Sequence, residues 1–220
     1  MSLCETFHPP SRLGLEFRGP TETGKGRRLL ELASRSLPER VRDAAERAAD
    51  AGFELSSEPG IGRAIMTLAA AVRPGGRGLE IGTGMGVGTA WLIQGLAARA
   101  DVELVTIESD PKRARLAAEA NWPGYVQPVI GDVLVEIGRL GLFSLVFADA
   151  EGGKLYGLDL TLAAVDLHGI LVLDDMRFQG RSPAIEEGVV RVRRQLMADD
   201  RFVCVEMNWS SGLLVATRVR

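Results

Sequence analysis

The sequence predicts an α/β protein: a doubly wound, mostly parallel seven-stranded sheet with one antiparallel strand and extra helices at the N-terminal end. Three observations carry that prediction. From residue 78 onward, apolar strand-like runs alternate with helical periodicities. A glycine-rich stretch, Leu79-Glu80-Ile81-Gly82-Thr83-Gly84-Met85-Gly86-Val87-Gly88-Thr89, stands where the first strand gives way to a helix. The last two strand-like runs are joined by the short Asn208-Trp209-Ser210-Ser211-Gly212, which leaves no room for a helical crossover, so they pair as an antiparallel hairpin.

Residues 1–26 are rich in Pro, Gly, Thr and charge and read as an irregular arm. From Arg27 to Ala51 the apolar positions recur at helical spacing, and Pro38 divides the stretch into two helices. Ser56-Ser57-Glu58-Pro59 reads as a cap and first turn leading into a helix over Ile61–Val72, with proline tolerated at the start. Pro74-Gly75-Gly76 ends it. Strands are then expected at about 78–82, 102–108, 126–130, 143–149, 169–174, 202–207 and 212–218. Helices are expected at about 86–99, 111–120, 133–140, 154–166 and 182–199. Phe143–Asp149 and Gly169–Asp174 are almost continuously apolar, as strands covered on both faces are. The expected division is an N-terminal arm with helices over 1–54, followed by the sheet domain over 55–220.

Composition narrows the partners. The chain has 220 residues, is 46% hydrophobic but only 5% aromatic, and carries a net charge of −3, so nothing suggests a nucleic-acid partner. The Arg191-Val192-Arg193-Arg194 cluster reads as a solvated helix face. Cys4 and Cys204 have no metal spacing and form no disulfide framework, so a reducing, cytoplasmic setting is expected. No apolar run approaches the roughly 20 residues that span a bilayer. The N-terminus lacks a basic region followed by an apolar one, so no secretory signal is expected there.

The glycine loop is suited to a polar cofactor: a tight turn without side chains, backed by the free N–H groups of a helix start. A dinucleotide fingerprint requires G-x-G-x-x-G/A, but the third position is Val87 counting from Gly82 and Thr89 counting from Gly84. What fits is an acid two residues before the first glycine, Glu80-Ile81-Gly82-Thr83-Gly84-Met85-Gly86. This resembles motif I of the class I S-adenosylmethionine-dependent methyltransferases. The resemblance implies their Rossmann-like sheet and assigns Glu80, Gly82, Thr83, Gly84, Gly86 and Thr89 to the cofactor, with Glu108, Ser109, Asp132, Val133 and Asp149 at the later strand ends.

In doubly wound sheets, ligands lie beyond the carboxyl ends of the strands. The second strand ends at Glu108-Ser109, where an acid can accept both ribose hydroxyls of an adenosine. A dehydrogenase uses the same device, and Glu108 or Ser109 can instead cap the helix at Asp110-Pro111. The third ends at Gly131-Asp132-Val133, which resembles the family's Gly-Asp-Ala segment facing the adenine; Asp132 is equally a good N-cap. The fourth ends at Asp149-Ala150-Glu151 and the fifth at Asp174-Asp175.

These last two segments are similar to the catechol and caffeoyl-coenzyme-A O-methyltransferases, which have Asp-Ala-Asp-Lys and Asp-Asn there. The resemblance implies that Asp149, Asp174 and Asp175 hold Mg²⁺ or another divalent cation, which lowers the pKa of the acceptor hydroxyls. It also implies a lysine general base and a homodimer. There are two departures. Asp175 replaces Asn, and Gly152 stands where the lysine belongs, leaving Lys154 either to reach the site around two glycines or to occupy a first helical turn. Leu55–Gly62 resembles the segment that covers the cofactor's methionine end. His8 and His168 carry no assigned role.

The resemblance spans residues 55–218. It implies an S-adenosylmethionine-dependent O-methyltransferase acting on a small hydroxylated, catechol-like acceptor, with Asp149 and Lys154 in the chemistry. Three alternatives stay open: a metal-independent O- or N-methyltransferase, an NAD(P)-binding oxidoreductase and a cofactor-binding protein without catalysis. Against the oxidoreductase stand the missing third glycine and the absence of Tyr-x-x-x-Lys, since Leu160 follows Tyr156 by four.

Overall fold

The computed structural model describes residues 37–220 apart from 97, 98, 100 and 178–181. The expected arm over 1–26, His8, Cys4 and the helix upstream of Pro38 lie outside these residues. Among the described residues two helices come first, α1 (Glu39–Asp50), beginning right after Pro38, and α2 (Pro59–Ala70), with its proline in the first turn. The alternating part follows: β1 (Arg77–Ile81), α3 (Val87–Leu96), β2 (Glu103–Glu108), α4 (Pro111–Ala118) and β3 (Val126–Ile130). Next come the short α5 (Val133–Glu136) with a 3₁₀ turn (Ile137–Arg139), β4 (Phe143–Ala148), α6 (Leu158–Ala164) and β5 (Val165–Leu173). The last elements are α7 (Pro183–Ala198), β6 (Phe202–Met207) and β7 (Leu213–Arg218).

The sheet has seven strands in the order β3-β2-β1-β4-β5-β7-β6, and only β7 runs against its neighbours. The chain order reverses between β1 and β4, and this switch point opens a crevice above the strand ends. Strand alternation sends Leu79, Ile81, Val146, Ala148, Leu171 and Leu173 to the face covered by α6 and α7. Leu104, Leu145, Phe147 and Val172 go to the opposite face, packed under α1, α2 and α3. Each fully buried Leu or Phe side chain contributes about 1.5–3 kcal/mol. The same alternation aims Glu80, between Leu79 and Ile81, at the α3 side.

Two boundaries differ most from the sequence reading. The helix expected at 154–166 begins only at Leu158, because Gly157 is left-handed (φ 75°) and the chain before it is closed into a turn. The strand expected from Gly169 begins at Val165. A register shift against β4, between Phe143 and Leu145, lets Asp166–His168 belong to the strand, with His168 at φ 63°.

Candidate active site

A cavity of about 730 Å³ lies along the carboxyl ends of β1, β2, β3, β4 and β5. Its floor is the glycine loop. Gly82 has φ 98°, and a Cβ there would meet the Asp149 carbonyl at 3.1 Å, so β1 can turn this tightly against the end of β4 only without a side chain.

Glu108 lies at the end of β2 and lines the cavity. Its Oε2 accepts from the Gly84 N–H at 2.9 Å. Its Oε1 accepts from the Asp110 N–H at 2.9 Å and from Arg113 through Nε at 3.2 Å and Nη2 at 2.9 Å. Capping of α4 falls to Asp110, whose Oδ1 accepts from the Lys112 and Arg113 N–H groups. Glu108 and Ser109 are thereby released from that task, and both face the cavity. The sequence reading missed Arg113. Its signal was an arginine one helical turn into α4, where the helix start returns it to the strand end. At the end of β3, Asp132 caps α5 through a bond from the Leu134 N–H at 2.9 Å and also lines the cavity with Val133.

Glu80, Gly86 and Thr89 do not line the cavity. Glu80 lies wholly buried beneath α3. Thr89 Oγ1 and Thr106 Oγ1 both donate to its Oε2, the latter at 2.5 Å. With the Thr106 proton so engaged, Thr83 Oγ1 donates to Thr106 at 2.6 Å. Glu80 therefore ties β1, β2, the loop and α3 together from below. Burial pushes its carboxyl up to about 8, against the lowering effect of the two threonines and with a further push from Asp149 and Glu108. Gly86 is turned toward Trp122.

The other end of the cavity is acidic. Asp149 accepts from Ser57 Oγ at 3.0 Å. Burial and the charge of Asp174 push its carboxyl up to about 7, and Lys154 and Ser57 oppose the rise. Asp174 is raised as well, by burial first. Its Oδ1 accepts from Ser211 Oγ at 2.5 Å and from the Asp175 N–H at 2.6 Å. Asp175 takes φ 60°, a left-handed conformation that aspartate tolerates better than most residues. Lys154 is buried, 3% exposed, and its Nζ donates to the Asp174 backbone carbonyl at 2.8 Å. Leu155, Ile185 and Val189 add an apolar wall.

Asp149, Asp174 and Asp175 thus line one cavity, but they do not fit a divalent cation as arranged. Among the described residues no group of three or more His, Cys, Asp or Glu side chains is placed to hold a metal ion. Asp149 Oδ2 and Asp174 Oδ1 already accept from hydroxyl or amide donors. Ser57 and Ser211 went unassigned in the sequence reading. Ser211 sits at a hairpin tip that reaches Asp174 only because β7 pairs with β5.

The comparisons agree with this fold. The family profile described as a methyltransferase domain matches residues 79–176. A protein of Mycolicibacterium paratuberculosis that carries an O-methyltransferase name is 31% identical, over 92% of this chain and 97% of its own. One of Mycobacterium tuberculosis, similarly named, is 30% identical over 91% of this chain and 95% of its own. Among solved structures, the O-methyltransferase TomG of Streptomyces achromogenes, bound to S-adenosylmethionine, superposes with a TM-score of 0.76 at 22% identity, covering 91% of this chain and all of its own. A Podospora anserina methyltransferase bound to S-adenosylhomocysteine gives 0.76 at 18% identity, covering 93% and 99%.

The chain belongs to the class I S-adenosylmethionine-dependent O-methyltransferases. It is a methyl-transferring enzyme, and the oxidoreductase alternative falls with that assignment. The site is consistent with the cofactor: a glycine cradle at Gly82, an oriented carboxylate at Glu108 and the end of β3 lie along one cavity.

Proposed function

We propose that this enzyme methylates a hydroxyl of a small, catechol-like acceptor held between the acidic end of the cavity and the wall of Leu155, Ile185 and Val189. The observation that carries this reading is the continuity of one cavity from Glu108 to Asp149, Lys154 and Asp174. Glu108, braced by Arg113, orients the ribose; Gly82, Thr83 and Gly84 form the cradle; Ser109, Asp132 and Val133 face the adenine. Bound S-adenosylmethionine supplies a methyl group on a sulfonium. Asp149 takes the proton of the acceptor hydroxyl, and the oxygen attacks the methyl carbon. The O–C bond forms as the S–C bond breaks, with its electron pair passing to sulfur. Holding the two reactants in line supplies much of the rate. Glu80 and Thr89 act from below, as positioning residues for the loop.

A divalent cation on Asp149, Asp174 and Asp175 is the second reading, favoured by three acids along one cavity. It requires the three side chains to converge on one point, with Ser57 and Ser211 able to stay as hydrogen-bond partners of the ligating carboxylates. The proposal also includes a homodimer, residues 1–54 as cover and oligomerisation segment, no nucleic-acid or membrane partner, and a cytoplasmic setting consistent with the free Cys204 thiol. Among the described residues no helix is long and apolar enough to cross a membrane.

The test is methyl transfer from labelled S-adenosylmethionine to a panel of catechols, single phenols and amines. Methylated catechol oxygen is the expected product. Transfer to amines alone would overturn the acceptor class, and light scattering checks the dimer.

A further inference from the structure

We propose that the Lys154 ammonium is the built-in cation of this site. Buried beside the strand-end acids, with its Nζ on the Asp174 backbone carbonyl, it serves in place of a divalent metal and stabilises the acceptor oxygen as that oxygen ionises. The inference rests on the O-methyltransferase reading above and changes what Lys154 does within it, from base to fixed positive charge.

The turn that delivers Lys154 is built for the purpose. The Glu151 carbonyl accepts from the Leu155 and Tyr156 N–H groups at 2.7 and 3.1 Å, and the Gly153 N–H donates to the Tyr156 carbonyl at 2.7 Å. Thr161 Oγ1 donates to the Gly153 carbonyl at 2.6 Å, anchoring the turn to α6. Gly153 has φ 79°, and a Cβ there would press on Ile81 and Thr161 at 3.1 Å. The extra glycines thus fold the chain tightly enough to bury a lysine that a regular first helical turn would leave in solvent. Its Nζ is fixed by the Asp174 carbonyl at 2.8 Å. A lysine has three N–H donors, so this bond leaves two for other acceptors.

The acids around it are each held by another donor. Ser57 holds Asp149, while Ser211 and the Asp175 N–H hold Asp174. The attraction of Lys154 for both carboxylates opposes their mutual repulsion. A desolvated point charge is worth far more here than in water. It favours the anionic acceptor oxygen, whose proton passes to Asp149.

The experiment compares wild type with Lys154→Gln and Lys154→Arg. Wild-type turnover is expected to be unchanged by excess EDTA and unstimulated by Mg²⁺, and electron paramagnetic resonance is expected to show no Mn²⁺ bound to the protein loaded with S-adenosylhomocysteine. Lys154→Gln should lower kcat about 100-fold, the effect of removing one oxyanion partner. Its affinity for S-adenosylhomocysteine should stay close to wild type, and Lys154→Arg should recover part of kcat. Loss of wild-type activity in EDTA with rescue by Mg²⁺ overturns the proposal, as does tight Mn²⁺ binding or a Lys154→Gln enzyme with wild-type kcat. If Lys154→Gln fails to fold, the EDTA and Mn²⁺ measurements decide. If no acceptor is methylated, the functional reading fails, and Mn²⁺ binding alone then decides whether this site takes a metal.

Discussion

At the scale of single residues, two side chains that support the site without touching its chemistry make the sharpest predictions. Glu80 holds its proton in the folded enzyme up to about pH 8 but loses it near its ordinary value of 4.5 once unfolded. Between these values the unfolded chain binds fewer protons, so stability falls as pH rises through that window. Glu80→Gln keeps the shape and removes the titration. Its Tm should fall less than that of wild type between pH 5 and pH 9; parallel Tm curves would show Glu80 ionised in the fold. Arg113 braces Glu108 with a forked pair of bonds. Charge-assisted bonds of this kind contribute about 1.5–3 kcal/mol. Arg113→Ala should therefore weaken S-adenosylhomocysteine binding about tenfold by calorimetry, a loss of about 1.4 kcal/mol. Unchanged affinity would mean that Gly84 and Asp110 orient Glu108 unaided.

At the scale of elements, the turn between β4 and α6 separates this chain from the pattern it resembles. A left-handed alanine costs roughly 1–2 kcal/mol, and the Ile81 and Thr161 contacts add to that at Gly153. Gly153→Ala should lower Tm modestly and kcat at least about tenfold, the effect of displacing a catalytic group. Affinity for S-adenosylhomocysteine should hold, because the glycine loop is a separate element. Equal losses in binding and turnover would show instead that the change spreads to β1. The same turn explains the main misreading from sequence. Lys154–Gly157 carries no strong breaker except Gly157, so helical periodicity runs through it in the sequence. The closing bonds of Gly153 to Tyr156 and Thr161 appear only once α6 is packed on the sheet.

At the scale of the whole molecule, the cavity draws on five strand ends, the approach to α2 and the β6–β7 hairpin, so a ligand there couples much of the fold. S-adenosylhomocysteine at 100 times its Kd should stabilise the folded state by about 2.7 kcal/mol. For a domain of this size that is roughly 5–10 °C in Tm; NAD(H) at the same concentration should give no shift. The sequence by itself determined the alternation of strands and helices, the hairpin at the end, the cofactor loop and the acids at the strand ends. Those are local properties: periodicity, turn chemistry and the rule that ligands lie beyond strand ends. Tertiary structure decided the partnerships. Ser57 meets Asp149 across 92 residues and Ser211 meets Asp174 across 37. Lys154 turns inward, and Glu80 ends beneath the loop rather than in the cavity. These choices depend on which strands pair and which face each side chain takes, and one sequence specifies them only through the packed whole.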